Sequence, residues 1–238
     1  MVSKKFSWRN ALERAVAVSV AIAEVIAANY VWRHARTKEF AVTLVVYVFS
    51  ALLLLVCAWV VFRVFVRRDY RRRGRLTSFS TFLECLIWGL YFAFPSIYDP
   101  FLWTRPGASS NHINPIVGSI GVAVIVFGAA TVIVAMTWLG LSRSFGQQVN
   151  ELRVSGPYRV SRNPQLVGSA LLALGYVMLV PSWYALGWLG LYAPIAHMMV
   201  MTEEEHLRDR HGAAYDRYCM RVPRYLGFPR FSRDRDGT

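Results

Sequence analysis

Leu141–Gly168 reads LSRSFGQQVNELRVSGPYRVSRNPQLVG, a polar, arginine-bearing stretch lodged between two long apolar runs. Its reading decides the fold, because it separates a series of long apolar segments from a shorter apolar pair. Gly156-Pro157 is a turn signal, since glycine tolerates positive φ and proline holds φ at about −65°. Asn163-Pro164 then sets a capping residue before a proline suited to the first helical turn, and the apolar residues from Leu166 carry that helix into membrane. A helix start flanked by Arg159 and Arg162 can hold an anion through free N–H groups and guanidinium. A basic loop resting on lipid phosphates accounts for the same residues, and on this stretch alone both readings stay open.

Outward from this stretch the chain is apolar. Hydrophobic residues make up 55% of 238, with mean hydropathy +0.34. A crossing of roughly 30 Å takes about 20 residues at 1.5 Å each. On the N-terminal side the runs that qualify are about Ala15–Trp32, Phe40–Phe62, Phe79–Tyr98 and Pro115–Leu139. The first is interrupted by Glu24 and Asn29, and Glu24 is expected to be satisfied by a neighbouring helix. The second ends in seven arginines between Arg63 and Arg75, a cluster expected among anionic headgroups. The third carries Glu84, close enough to that cluster to pair with it. In the fourth, Gly118, Gly121 and Gly128 permit close helix contact. On the C-terminal side, Leu166–Val180 and Trp183–Met201 are broken by Pro181-Ser182 and read as a helical hairpin. Gln165 and Ser169 are expected toward the protein interior, His197 packed within the last span, and the tail as a short amphipathic helix through about Tyr218.

The expected architecture is therefore all-α, a polytopic membrane bundle of about six spans with a short cytosolic C-terminal helix. A formal charge of +13 invites a nucleic-acid reading, but the basic residues lie between apolar spans, so no nucleic-acid partner is expected. With six spans, 23 of the 27 lysines and arginines fall on one side. The positive-inside rule makes that side, with both termini, cytosolic. Cys57, Cys85 and Cys219 have neither metal nor redox spacing. The N-terminal MVSKKFSWRNALERAVAV has positive charge before an apolar run but lacks a small-residue cleavage site, and reads as a retained first helix.

A second distinctive stretch is EEEHLRDRHGAAYDRYCMRVPRYLGFP, from Glu203 to Pro229. Gly156, Pro157, Tyr158, Arg159, Arg162, Pro164 and Gly168, followed by Glu203, Glu204, Leu207, Gly212, Tyr215, Tyr218, Val222, Pro223 and Arg224, together resemble a known pattern. It is that of the integral-membrane methyltransferases that include isoprenylcysteine carboxyl methyltransferase and its bacterial relatives. Asn163 stands where those enzymes usually have His, Leu166 where Tyr is usual and His211 where Phe is usual. The resemblance divides the chain into membrane helices over 1–140, a methyltransferase-like region over 141–229 and a flexible tail over 230–238. It implies an integral protein of a bacterial inner membrane that uses S-adenosylmethionine.

The same resemblance implies that Tyr158, Arg162, Asn163, Pro164, Gly168, Glu203, Glu204, Tyr215 and Tyr218 line the cofactor pocket. Arg162 and the helix start would take the cofactor carboxylate, Glu203 or Glu204 its amine or ribose, and the tyrosines its sulfonium and adenine. Arg224 is the candidate substrate contact, and no catalytic residue is singled out. Plainer accounts exist for each. Glu203-Glu204-Glu205 serves equally as a solvated acidic turn pairing with Arg208 and Arg210, the tyrosines as interface aromatics, and Arg224 as a lipid contact. Glu203 and His206 have the i,i+3 spacing of half a di-iron site, but no second such motif exists and no metal is expected.

The expected partners are the bilayer and a lipophilic acceptor: an isoprenylcysteine-like carboxylate, a phospholipid amine or a thiol. Two other classes remain: a membrane reductase related to the sterol reductases, and a non-catalytic transporter or assembly protein using Glu24 and Glu84 as a polar path. Topology is directly measurable. Reporter fusions after Thr104 are expected to read outside the cytosol, and fusions after Arg153 and at the C-terminus inside; a C-terminus found outside overturns the six-span arrangement.

Overall fold

The structure is a computed structural model that describes residues 40–98, 114–140, 152 and 154–227, the side chains of 40–43 and 96–98 excepted. The expected first span with Glu24, and residues 141–151, lie outside these. Helix α1 (Phe40–Trp59) continues through a π-helical turn (Val60–Val66) into α2 (Arg67–Arg73). Then come α3 (Ser78–Tyr98), α4 (Pro115–Leu139), a 3-10 turn (Gly156–Arg159), α5 (Pro164–Leu179), α6 (Trp183–His211) and α7 (Ala213–Arg221). Among the described residues there is no strand, and the chain is a polytopic helical membrane bundle. Leu44–Arg73, Pro115–Leu139 and Trp183–His211 are long and apolar enough to cross a membrane.

The core lies where α1, α3 and α6 meet. Leu54, Phe62, Tyr91, Ile195 and Val200 are fully enclosed there. Polar aromatic atoms in this layer are satisfied by backbone: Trp188 Nε1 donates to the Tyr91 carbonyl at 2.7 Å, and Tyr47 Oη to the Tyr184 carbonyl at 2.8 Å. Water cannot supply those partners inside a bilayer, so the protein must. The α1–α2 rod stops at Gly74, whose φ of 64° lets its N–H return to the Tyr70 carbonyl. Asp69, buried at the end of that rod, accepts from the Thr77 amide at 3.1 Å, the Thr77 hydroxyl and the Ser80 hydroxyl at 2.6 Å. It fastens the turn into the first turn of α3.

Helix α4 packs against α5 through glycines two turns apart on each helix. A Cβ on Gly128 would sit 2.7 Å from the Gly168 carbonyl oxygen, and one on Gly175 2.7 Å from that of Gly121. In lipid no hydrophobic gain drives helices together, so close backbone approach carries the association. The expected glycine contact is real at Gly121 and Gly128, with Gly118 half-buried one turn earlier. At the entry to α5, Gly156 takes the positive φ expected of the turn, 61°, with the Trp138 indole against it.

The hairpin turns where expected. Ser182 caps α6, its hydroxyl accepting from the Ala185 amide at 3.1 Å. Helix α6 is longer than expected, 29 residues against 16 for α5, and it runs through the three glutamates without a turn. That surplus carries Glu203–His211 past the start of α5. The tail helix begins only at Ala213, after Gly212 at φ 51°.

Two charge assignments change. Arg63 donates to Glu205 at 2.9 Å and to Thr202 at 3.2 Å, and Arg67 to Glu205 at 2.7 Å, so two arginines of the cluster turn inward to bind α6. Glu84 is buried and makes no ion pair among the described residues, although the α2 arginines lie near it in sequence.

The glycine contact is testable by contrast. Gly168→Ile is expected to lower stability by about 1–3 kcal/mol or to prevent folding, as overpacking against backbone does. Gly89→Ala, where an added Cβ meets nothing within 4 Å, is expected to be neutral or mildly stabilising. Thermal unfolding in detergent reads both; equal shifts overturn this packing.

Candidate functional site

The loop before α5 and the tail after α6 are far apart in sequence and converge on one carboxylate. Glu204 is 5% exposed. Arg162 Nη1 donates to its Oε1 at 2.7 Å; Arg224 Nε donates to Oε1 at 3.0 Å and Arg224 Nη2 to Oε2 at 2.7 Å. Arg162 Nη1 also approaches Cys219 Sγ at 2.8 Å. A carboxylate removed from water is costly unless paired and hydrogen-bonded on both oxygens, as this one is.

The backbone reinforces the meeting. The Arg162 amide donates to the Pro223 carbonyl at 3.0 Å, Asn163 Nδ2 to the Arg224 carbonyl at 2.9 Å, and Tyr218 Oη to the Tyr158 carbonyl at 2.7 Å. Tyr158 Oη donates to Gln165 Oε1 at 3.0 Å, so Gln165 does face inward as expected, while the Ser169 hydroxyl bonds back to the carbonyl of Gln165. Asn163 stands at the helix cap position, but its side chain does not cap α5. The tail carbonyl claims that amide instead.

Tyr158, Arg162, Asn163, Glu204, Tyr218 and Arg224 are thus brought together. Tyr215 and Tyr218 are buried in a small cluster with Val222 rather than presented as open aromatic faces. Burial pushes the Tyr215 and Tyr218 phenols well above their ordinary range, and burial with the nearby Glu203 carboxylate does the same to Tyr158. Tyr158 and Tyr218 both act as hydroxyl donors here. Pro164 opens α5, and Gly168 lies one turn further on, against Gly128 of α4.

Two groups at this junction are uncommitted. Arg162 Nε is buried and has no hydrogen-bond partner. Glu203 makes no hydrogen bond or ion pair among the described residues. The acidic turn pairing with Arg208 does not form, since Arg208 Nε is held by Asp216 at 2.9 Å. Among the described residues no group of three His, Cys, Asp or Glu side chains is arranged to hold a metal ion.

Some participants escaped the sequence reading. Cys219 beside Arg162, and Arg63 and Arg67 on Glu205, carry no sequence signal beyond residue type. His197 is exposed rather than packed: it lines an apolar groove between α5 and α6, with Tyr225 Oη 3.4 Å from its Nδ1. An ionisable side chain on a membrane-facing wall was the available signal.

Residues 117–214 match the phospholipid methyltransferase family, a stretch running from the first turn of α4 into the start of α7. No curated protein and no solved structure matches the chain. The family match supports a membrane methyltransferase, and it spans both the loop that carries Arg162 and the helix that carries Glu204.

Glu204→Ala is expected to destabilise the protein by about 3–5 kcal/mol, because it strands the largely buried Arg162 guanidinium and takes away the partner of the half-exposed Arg224. Glu205→Ala breaks two ion pairs whose members are 23–33% exposed and is expected to cost about 1 kcal/mol or less for each. Denaturant titration in detergent separates the two, and comparable losses overturn the special standing of Glu204.

Proposed function

We propose that the chain is an S-adenosylmethionine-dependent methyltransferase whose acceptor is a lipophilic or membrane-associated molecule: an isoprenylcysteine-like carboxylate, a phospholipid amine or a thiol. One observation carries the reading. The two stretches that resemble the isoprenylcysteine carboxyl methyltransferases meet at Glu204, inside the region matching a membrane methyltransferase family.

The residues fit the cofactor. Arg162, fixed by Glu204 and with Nε still free, is placed to receive a carboxylate. Glu203, one residue from Glu204 and uncommitted, suits an ammonium or ribose hydroxyls. Glu204 takes a different part from the one expected of it: its oxygens are both engaged by arginine, so it positions Arg162 rather than meeting a ligand. Tyr158 and Tyr218 hold the loop to the tail through neutral hydroxyls and keep the junction closed behind Arg162. Arg224 spends Nε and Nη2 on Glu204 and keeps Nη1 for an acceptor's polar group.

S-adenosylmethionine supplies an electrophilic methyl group on a sulfonium. The chain's contribution is positioning and exclusion of water, which suffices for an in-line displacement without a covalent enzyme intermediate. The long α6 puts the charged junction at the membrane surface while its apolar turns remain in the bilayer, so a water-soluble donor and a lipophilic acceptor can meet at one point.

S-adenosylhomocysteine is expected to raise the melting temperature of the purified protein, as any ligand specific for the folded state does. Arg162→Ala is expected to weaken that binding by about 1.5–3 kcal/mol, the scale of a hydrogen bond to a charged group. Glu203→Gln is expected to weaken it while leaving the melting temperature of the ligand-free protein unchanged. Arg72→Ala is the control and is expected to change neither. No shift at millimolar ligand in folded protein overturns the methyltransferase reading.

A further inference from the structure

Along the hairpin, α5 and α6 do not close against each other. They leave a groove of about 680 Å³, within the range of about 300–1,000 Å³ typical of small-ligand sites. Its walls are apolar: Leu166, Ala170 and Leu174 on α5, Leu189 and Ala193 on α6. Small side chains make the room, and Ala193 and Leu174 are exposed at its mouth. The two helices are bridged beside it by Tyr192 Oη, which donates to the Leu166 carbonyl at 2.6 Å.

The polar features all lie at one end. His197 and Tyr225 face each other at 3.4 Å, and Tyr225 follows Arg224, which grips Glu204. His197 precedes Glu204 by seven residues on the same helix, a rise of about 10 Å. The groove therefore runs from the hydrocarbon depth of the bilayer to the charged junction. An exposed histidine on a span wall is costly in lipid and calls for a polar partner.

We propose that this groove holds a hydrocarbon chain of an amphipathic methyl acceptor, with the acceptor's polar end read by His197 and Tyr225. The assignment rests on the methyltransferase reading above and adds to it where the acceptor lies. Two features favour an alkyl or acyl chain over a helix from a second copy. The walls are almost wholly apolar, and the polar end adjoins Arg224, which grips Glu204. A helix with side chains is about 10–12 Å across and needs a broader seat.

The test uses the full chain in nanodiscs containing phosphatidylethanolamine with a diazirine at mid-chain. After illumination, adducts are expected on residues 166–174 and 189–197, several-fold above those on the exposed α4 face around Val126. Ala193→Trp and, independently, Ala170→Trp fill the groove and are expected to abolish those adducts. Both are also expected to reduce by at least tenfold the transfer of labelled methyl from S-adenosylmethionine into a total lipid extract. S-adenosylhomocysteine binding and melting temperature are expected to stay as in the wild type, with Val126→Trp leaving every readout unchanged. His197→Phe is expected to raise the acceptor KM with little change in kcat.

Adducts spread evenly over all lipid-facing helices overturn the site. Adducts in the groove with methyl transfer intact in both tryptophan variants show a structural lipid and overturn the acceptor assignment. S-adenosylhomocysteine binding without methyl transfer into the lipid extract also overturns it while leaving the cofactor reading standing. Failure of S-adenosylhomocysteine to bind wild-type protein overturns the methyltransferase reading itself.

Discussion

The buried carboxylate of Glu204 is the constraint on which this end of the bundle depends. A charge there must be neutralised and hydrogen-bonded on both oxygens, and Arg208, one turn further along the same helix, is held by Asp216 instead. One guanidinium comes from the loop before α5 and the other from the tail after α7. Because the requirement is strict, the loop and the tail have little freedom to sit elsewhere. The backbone bonds from Arg162 and Asn163 to Pro223 and Arg224 then hold the arrangement in register.

Three consecutive glutamates on one helix point in three directions, since successive residues turn by about 100°. Glu204 faces the loop and tail. Glu205 faces α1's π-helical extension, where Arg63 and Arg67 receive it and join the N-terminal rod to α6. The π-helical turn from Val60 to Val66 contains Arg63, an instance of such a turn at a place with a job beyond packing. Glu203 makes no hydrogen bond or ion pair among the described residues. A single acidic run thus supplies two separate structural locks, a division only the helix phase creates.

The apolar half of the molecule works by a different principle. Gly121, Gly128, Gly168 and Gly175 let two backbones touch, and this contact sets where the start of α5 sits. Gly168, which the resemblance places in the cofactor pocket, is occupied here with helix packing. Its influence on the loop beside it passes through the position of α5, one turn after Asn163.

What the residues determined by themselves was the local part. Apolar run lengths set the helices, Pro181-Ser182 set the hairpin, and Gly156 and Gly74 set turns that only a positive φ allows. That Arg162, Glu203, Glu204 and Arg224 belong to one site was implied by the resemblance to a family pattern; by residue type alone a lipid-bound loop and a solvated acidic turn served as well. Tertiary structure decided which charge meets which. Arg63, Arg67, Arg162 and Arg224 are chemically alike, and nothing in their neighbours along the chain says that the first two take Glu205 and the last two Glu204. The same holds for Asn163, an able helix cap whose amide is drawn to a carbonyl 61 residues away. Pairing of like groups is settled by distance and burial in the folded bundle, and sequence separation carries neither.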